Sequence, residues 1–177
     1  MTWKPGDPKR ATASMVRVDQ AGEFGATRIY AGQLAVLGDR SPAARAIAGM
    51  ANQEERHRAF FDAMMAERSV RPTLLHPIWS VAGFALGVVT AALGPDAAMA
   101  CTAAVETEID KHYEEQLVVL GESDPELSDA IRDFQAEEVE HRETALAAGA
   151  ENTPGYPLLS GMIRLGCKVA IATAKRI

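Results

Sequence analysis

Two short stretches of the chain place a carboxylate and an imidazole three residues apart. "NQEERHRAFF" (52–61) carries Glu54 and His57, and "FQAEEVEHRE" (134–143) carries Glu138 and His141. On a helix, residues three apart share a face, with Cβ atoms about 5–6 Å from one another. Each pair can therefore aim both groups at one small volume. A further glutamate precedes each pair, Glu23 in "VDQAGEFGA" and Glu106 in "CTAAVETEIDKHY", at separations of 54 − 23 = 31 and 138 − 106 = 32 residues. The chain thus reads as two copies of one unit, a lone Glu followed by Glu-x-x-His.

The helix faces that carry these groups are largely apolar. Phe61 follows His57 by four residues, and Phe134 precedes Glu138 by four. Val16, Thr27, Tyr30 and Leu34 flank Glu23; Met99, Thr102, Ala103, Ile109 and Tyr113 flank Glu106. Such stripes point the six groups into a helical interior. Four ionised carboxylates there would be prohibitively costly without partners. Two divalent cations remove the difficulty, because four glutamates carry −4, two cations +4 and two neutral imidazoles nothing. Hard carboxylate oxygens with imidazole nitrogen and no thiolate suit iron or manganese better than zinc. A single Glu-x-x-His is common on solvated helices; its repetition with an upstream Glu is what argues for metal. Glu55, Glu108, Glu137 and Glu140 are neighbouring alternatives. The spacing to histidine selects Glu54 and Glu138, whereas Glu106 over Glu108 rests on the apolar face and the near-equal repeat.

The elements needed to position these groups are all helical. Ala, Leu, Glu, Gln and Arg dominate, which favours helix. Breakers divide the chain into helices over about 15–37, 42–68, 78–93, 96–120 and 125–149, and a last helical segment over about 157–176. Ser41-Pro42 and Asp124-Pro125 supply N-caps followed by proline at the first helical position. Gly38, Gly94, Gly121 and Gly149 supply stops. Two long helices, a break and two more long helices predict an all-α four-helix bundle with two additional hydrophobic or amphipathic helices. One Glu from each of two helices and Glu-x-x-His from the other two is the mark of ferritin-like di-iron and di-manganese carboxylate proteins. Residues 1–14 are expected to be a flexible segment, and 15–177 one domain made of hairpins 15–68 and 96–149 with helices 78–93 and 157–176.

Composition narrows the class. The 177 residues suffice for one domain with a real core. Hydrophobic residues at 47% and charged residues at 24% argue against a disordered chain. A net charge of −6 and the lack of a basic, aromatic-interleaved run argue against nucleic acid as a partner. Cys101 and Cys167 are expected to pack as small hydrophobes in a reducing compartment. The first residues lack the apolar region of a secretory signal, so a bacterial cytoplasmic location is expected.

"VDQAGEFGA", "QEERH", "ACTAAVETEIDKHY" and "FQAEEVEH" resemble the demethoxyubiquinone hydroxylase family, ferritin-like di-iron monooxygenases of ubiquinone biosynthesis. The resemblance covers about residue 15 to the C-terminus. It implies two Fe ions per chain, Fe²⁺ in the reduced form, on Glu23, Glu54, His57, Glu106, Glu138 and His141. It places a catalytic second-sphere pair at His112 and Tyr113, and no organic cofactor site. It also implies hydroxylation of a demethoxyubiquinol ring carbon by O₂, with the second oxygen atom leaving as water. Tyr113 lies two turns beyond Glu106 on the same face, where orienting a ring, passing a proton or electron, or simple packing are all open. His76, in a Pro-rich linker, is expected to be a surface residue.

The most apolar stretch, 78–93, spans 93 − 78 + 1 = 16 residues without charge, short of the roughly 20 that cross a bilayer. Trp79 at its start suits an interfacial anchor. The last segment mixes apolar residues with Arg164, Lys168, Lys175 and Arg176, which suits an anionic membrane surface. With the polyprenyl substrate that the resemblance implies, the expectation is peripheral attachment to the cytoplasmic face of the bacterial cell membrane. A second copy of the chain and an accessory lipid-presenting protein stay open as partners. The competing readings are a ferroxidase or iron-storage subunit, a di-iron oxygenase acting on another substrate, and a metal-free helical scaffold.

Overall fold

The structure, a computed structural model, describes residues 8–39 and 41–176, with side chains from residue 12. Its helices are α1 (Pro8–Leu37), α2 (Pro42–Glu67), α3 (His76–Ala92), α4 (Pro95–Leu120), α5 (Pro125–Ala147) and α6 (Tyr156–Ala174), with one 3₁₀ turn at Ala150–Asn152. No strand occurs among the described residues. α1 with α2 and α4 with α5 form the two hairpins, α3 lies on α1, and α6 lies on α4. The expected six helices are all present. α1 begins at Pro8, seven residues before the expected start, so residues 8–14 of the segment expected to be flexible are helical. Residues 1–7 of that segment lie outside the described residues.

Local signals account for the boundaries. The Ser41 hydroxyl accepts from the Ala44 amide at 3.0 Å, and the Asp124 carboxylate accepts from Leu127 at 3.3 Å. Each satisfies an amide that a helix start leaves without a partner. Asp124 and Glu126 at the start of α5 also receive the Arg68 guanidinium from the end of α2, which ties one hairpin to the other. Gly121 ends α4 at φ 51°, a region that favours glycine.

α3 starts two residues earlier than the apolar run suggests, because Pro77 occupies its first turn. That draws His76 out of the linker. Its Nε2 meets Gln20 Oε1 at 3.0 Å, and its ring lies 4.0 Å from that of Phe24. The expectation of a plain surface histidine is therefore corrected: His76 clasps α3 to α1. Trp79, expected at a membrane interface, is half-buried against Val18, Ala21, Ile171 and Ala174. Both cysteines are free and pack with Ile29, Ala104, Val105 and Ile163. Burial pushes each thiol up to about 12.

Two apolar clusters fill the bundle. Tyr30, Ile47, Met50, Met99 and Ala103 pack in one. Val16, Phe61, Met64, Leu127 and Ile131 pack with Tyr113 in the other. α1 and α3 cross backbone to backbone. A Cβ on Gly87 would overlap the Ile29 carbonyl, and one on Gly32 would overlap the Phe84 carbonyl. Gly87→Ala should therefore cost about 3 kcal/mol, lowering Tm by roughly 10 °C. Gly22→Ala, at an exposed helical site with open space around it, should raise stability by up to about 1 kcal/mol. Thermal melts of the two variants check this pair, and equal Tm values would refute the tight crossing.

Candidate metal centre

Each helix of the two hairpins contributes donors to the bundle centre. α1 gives Glu23, α2 gives Glu54 and His57, α4 gives Glu106, and α5 gives Glu138 and His141. All six side chains are at most 2% exposed. Their donor atoms form two overlapping sets, Glu23, Glu54, His57 and Glu138, and Glu54, Glu106, Glu138 and His141; within each set the atoms lie within 4.8 Å of one another. Glu54 and Glu138 belong to both sets. The six residues selected by spacing are thus the six that converge. Of the neighbouring acids, Glu55 and Glu140 are exposed. Glu108 is buried but turned toward α6, where it accepts from Arg164 Nε at 2.6 Å.

The donor chemistry fits divalent cations. Glu23 Oε2, Glu106 Oε2, both oxygens of Glu54 and of Glu138, and Nδ1 of both histidines are buried with no hydrogen-bond partner. A folded chain rarely leaves so many polar atoms unmet. His57 Nδ1 lies 3.1 Å from Glu138 Oε1 and 3.5 Å from Glu23 Oε2. His141 Nδ1 lies 3.2 Å from Glu54 Oε1 and 3.3 Å from Glu138 Oε2. These atoms crowd together without hydrogen-bond alignment, as ligands around an ion would. The other atoms of the same groups are satisfied. Tyr30 Oη donates to Glu106 Oε1 at 2.6 Å, and Tyr113 Oη donates to Glu23 Oε1. Each lone glutamate therefore offers one free oxygen, whereas Glu54 and Glu138 offer two each. His57 Nε2 meets Glu137 Oε2 at 3.1 Å, and His141 Nε2 meets Gln53 Oε1 at 2.9 Å.

Electrostatics shows what the cluster does without cations. Burial lifts Glu54 well above the ordinary carboxylate range, and repulsion from Glu138 and Glu23 adds to it. Glu106 rises in the same way, through burial and then Glu138. Burial presses Glu138 upward too, but His141 and His57 outweigh it and bring its pKa down to about 2. Burial also opposes charge on His57, yet contact with Glu138 and Glu23 raises its pKa to about 10. The metal-free cage thus holds protons where a cation would sit. Burial and the neighbouring carboxylates raise both tyrosines well above 10, which keeps their hydroxyls as donors.

Tyr113 and His112 face different surroundings. Tyr113 bonds directly to Glu23. His112 is buried on the neighbouring face, with Nε2 2.7 Å from Gln116 Nε2 and 3.5 Å from Asp19 Oδ1. It forms the floor of a cleft of about 410 Å³ between α4 and α6, whose walls include Lys111, Lys168, Lys175 and Arg176. Sequence reading missed Asp19, Gln53 and Glu137 as partners of site residues, and the Tyr30–Glu106 bond. A signal for the last was present: Tyr30 follows Glu23 by seven residues, as Tyr113 follows Glu106.

A helical bundle with one Glu on each of two helices and Glu-x-x-His on the other two belongs to the ferritin-like class of carboxylate proteins. Residues 10–174 match the family described as "Ubiquinone biosynthesis protein COQ7", and the chain belongs to that family. It is 52% identical over 175 residues to the 3-demethoxyubiquinol 3-hydroxylase of Rhodospirillum rubrum, covering 98% of this chain and 82% of the relative. It is 47% identical over 173 residues to the human mitochondrial NADPH-dependent 3-demethoxyubiquinone 3-hydroxylase, covering 96% and 79%. The yeast mitochondrial 5-demethoxyubiquinone hydroxylase is 39% identical over 179 residues, with 92% and 77% covered.

Loading the metal-free protein with divalent cations at pH 7 should release more than one proton per chain, because His57 and the raised glutamates must give theirs up. Affinity should fall as pH falls, since protons then compete for the same atoms. Calorimetric titration in buffers of different ionisation enthalpy reads the proton count. A count of zero would contradict the protonated cage.

Proposed function

We propose that the chain is an O₂-dependent di-iron monooxygenase that hydroxylates the ring of a demethoxyubiquinol in ubiquinone biosynthesis. The observation that carries this is the pair of overlapping donor sets with their orphaned atoms, in a chain whose relatives are named for that hydroxylation. Glu23 and His57 would hold one ion and Glu106 and His141 the other, with Glu54 and Glu138 shared. When bound, two Fe²⁺ ions would supply two electrons which, with the two from the ring C–H bond, reduce O₂, so that one oxygen atom enters the ring and the other leaves as water. The protein's own part is orientation and exclusion. Tyr113 and Tyr30 fix the lone glutamates, the apolar clusters on both sides keep bulk water out, and Nδ1 of each histidine is turned inward by the bond at Nε2. Tyr113 bonds Glu23 directly, and His112, which lines the cleft between α4 and α6, lies 3.5 Å from Asp19, one turn before Glu23. On this reading they serve the centre rather than bind a separate cofactor.

Substrate location supports attachment to a membrane surface. Ile78, Val81, Val89 and Leu93 on α3 and Leu158, Met162, Leu165 and Val169 on α6 are all exposed, by 56% or more. A polyprenyl tail needs such a surface, and so does a chain that collects it from a bilayer. By length and composition α6 is apolar enough to cross a membrane, with 17% of that stretch buried. Its Arg164 and Lys168 are paired with Glu108 on α4, however, and Ile163 packs in the core. We therefore assign α6 a place along the surface. In bacteria that surface is the cytoplasmic face of the cell membrane.

The decisive experiment is a single turnover. The protein is loaded anaerobically with Fe²⁺, given a short-tailed demethoxyubiquinol and exposed to ¹⁸O₂. One labelled oxygen should appear in the quinone ring, and Glu54→Ala or Glu138→Ala should abolish it while circular dichroism stays helical. Iron oxidation without labelled product would favour ferroxidase chemistry instead. For the membrane, Leu165→Gln with Val169→Gln should release the protein from co-sedimenting vesicles. Lys175→Ala should weaken binding to anionic vesicles roughly fivefold, about 1 kcal/mol, and leave neutral ones unaffected. Unchanged sedimentation of both variants would rule out α6 as the docking face.

A further inference from the structure

The two halves of the centre are related by a near-constant offset, 106 − 23 = 83 for the lone glutamates and 138 − 54 = 141 − 57 = 84 for the paired groups. The surroundings follow the same rule. Tyr30 and Tyr113 differ by 83, and each bonds the lone glutamate of the other half. The residue just before each paired glutamate, Gln53 or Glu137, reaches across to Nε2 of the other half's histidine. The relation breaks at that point. His141 faces a neutral amide at 2.9 Å, and His57 faces a carboxylate at 3.1 Å.

A second break lies on the same side. One turn before Glu23 stands Asp19, 3% exposed, with Oδ2 lacking any partner. The position offset from it by 83, one turn before Glu106, is Thr102. Both departures thus add a carboxyl group beside Glu23 and His57 and none beside Glu106 and His141. A carboxylate on the outer nitrogen of a ligating histidine fixes its tautomer and raises the basicity of the inner nitrogen. A neutral amide oxygen accepts the same proton with less effect.

We propose that Glu137 and Gln53 are positioning residues that make the two metal positions unequal, so that the position served by Glu23 and His57 fills first and holds its ion more tightly than the one served by Glu106 and His141. The inequality rests on the metal-centre reading above. It explains why a repeat so regular in its ligands departs at the groups behind them. Arg56 bonds Glu137 at 2.9 Å from the surface and holds its carboxylate in place against His57 Nε2.

The test is anaerobic titration of the metal-free full chain with Mn²⁺, with free ion read by electron paramagnetic resonance. Wild type should bind two ions in two steps. Glu137→Gln should weaken the first step roughly 10- to 100-fold and leave the second nearly unchanged, so the steps merge. Gln53→Glu should tighten the second step and merge them from the other side. Circular dichroism confirms that both variants are folded. Two-step binding left unaltered by both substitutions would overturn the inequality while leaving the metal centre standing. Weakening of the second step by Glu137→Gln would overturn the assigned order. Wild type that binds no Mn²⁺ would remove the metal centre itself, a failure distinct from the other two.

Discussion

Four carboxylates and two imidazoles share one buried volume at the middle of the bundle, and the rest of the molecule is arranged around that repulsion. Apolar burial alone would expel such groups. The protein holds them by covering both ends of the volume, with Tyr30, Ile47 and Met99 on one side and Phe61, Leu127 and Ile131 on the other. It leaves their inward atoms without partners while satisfying the outward ones. Stability and function therefore pull on the same groups. Protons quench the charge when no cation is present, and bound cations would replace them.

Neither hairpin can build the site alone. Tyr30 of the first holds Glu106 of the second, and Tyr113 of the second holds Glu23 of the first. Glu137 and Gln53 cross in the same manner to the histidines. Docking of the hairpins and completion of the site are one event, and Arg68 closes the far end by gripping the start of α5. The repeated sequence forms an interlocked pair in which each half supports the candidate ligands of the other.

Much of this was legible in the sequence. Caps and glycines marked the helix ends to within a few residues, and the three-residue spacing with its upstream glutamates singled out the six groups that converge. The missing parts have a common physical origin. Glu108 lies two residues beyond Glu106, close to the opposite face of α4, and only the packing of α6 shows that its partner is Arg164. His76 looked like linker because Pro77 reads as a breaker, whereas at the first turn of a helix it is a starter. The early start of α1 carries the same Asp-Pro signal as α5, at Asp7-Pro8, but Pro5-Gly6 just before it makes the stretch read as a turn. The partners of His57 and His141 come from another helix at the same height, and periodicity along one helix does not encode height across two.

The crossing of α1 and α3 has a mechanical side. With Gly32 set against the Phe84 backbone, Gly87 against the Ile29 backbone, and His76 clasping Gln20, α3 has little room to slide on α1. α1 carries Glu23 and Tyr30, and α3 carries a row of exposed apolar residues. On the proposed seating at a bilayer, the helix that rests in the lipid and the helix that holds a ligand form one rigid lever. The depth and tilt at which the molecule settles would then fix the height of the centre above the hydrocarbon, and with it how far a quinol head group must rise to be reached.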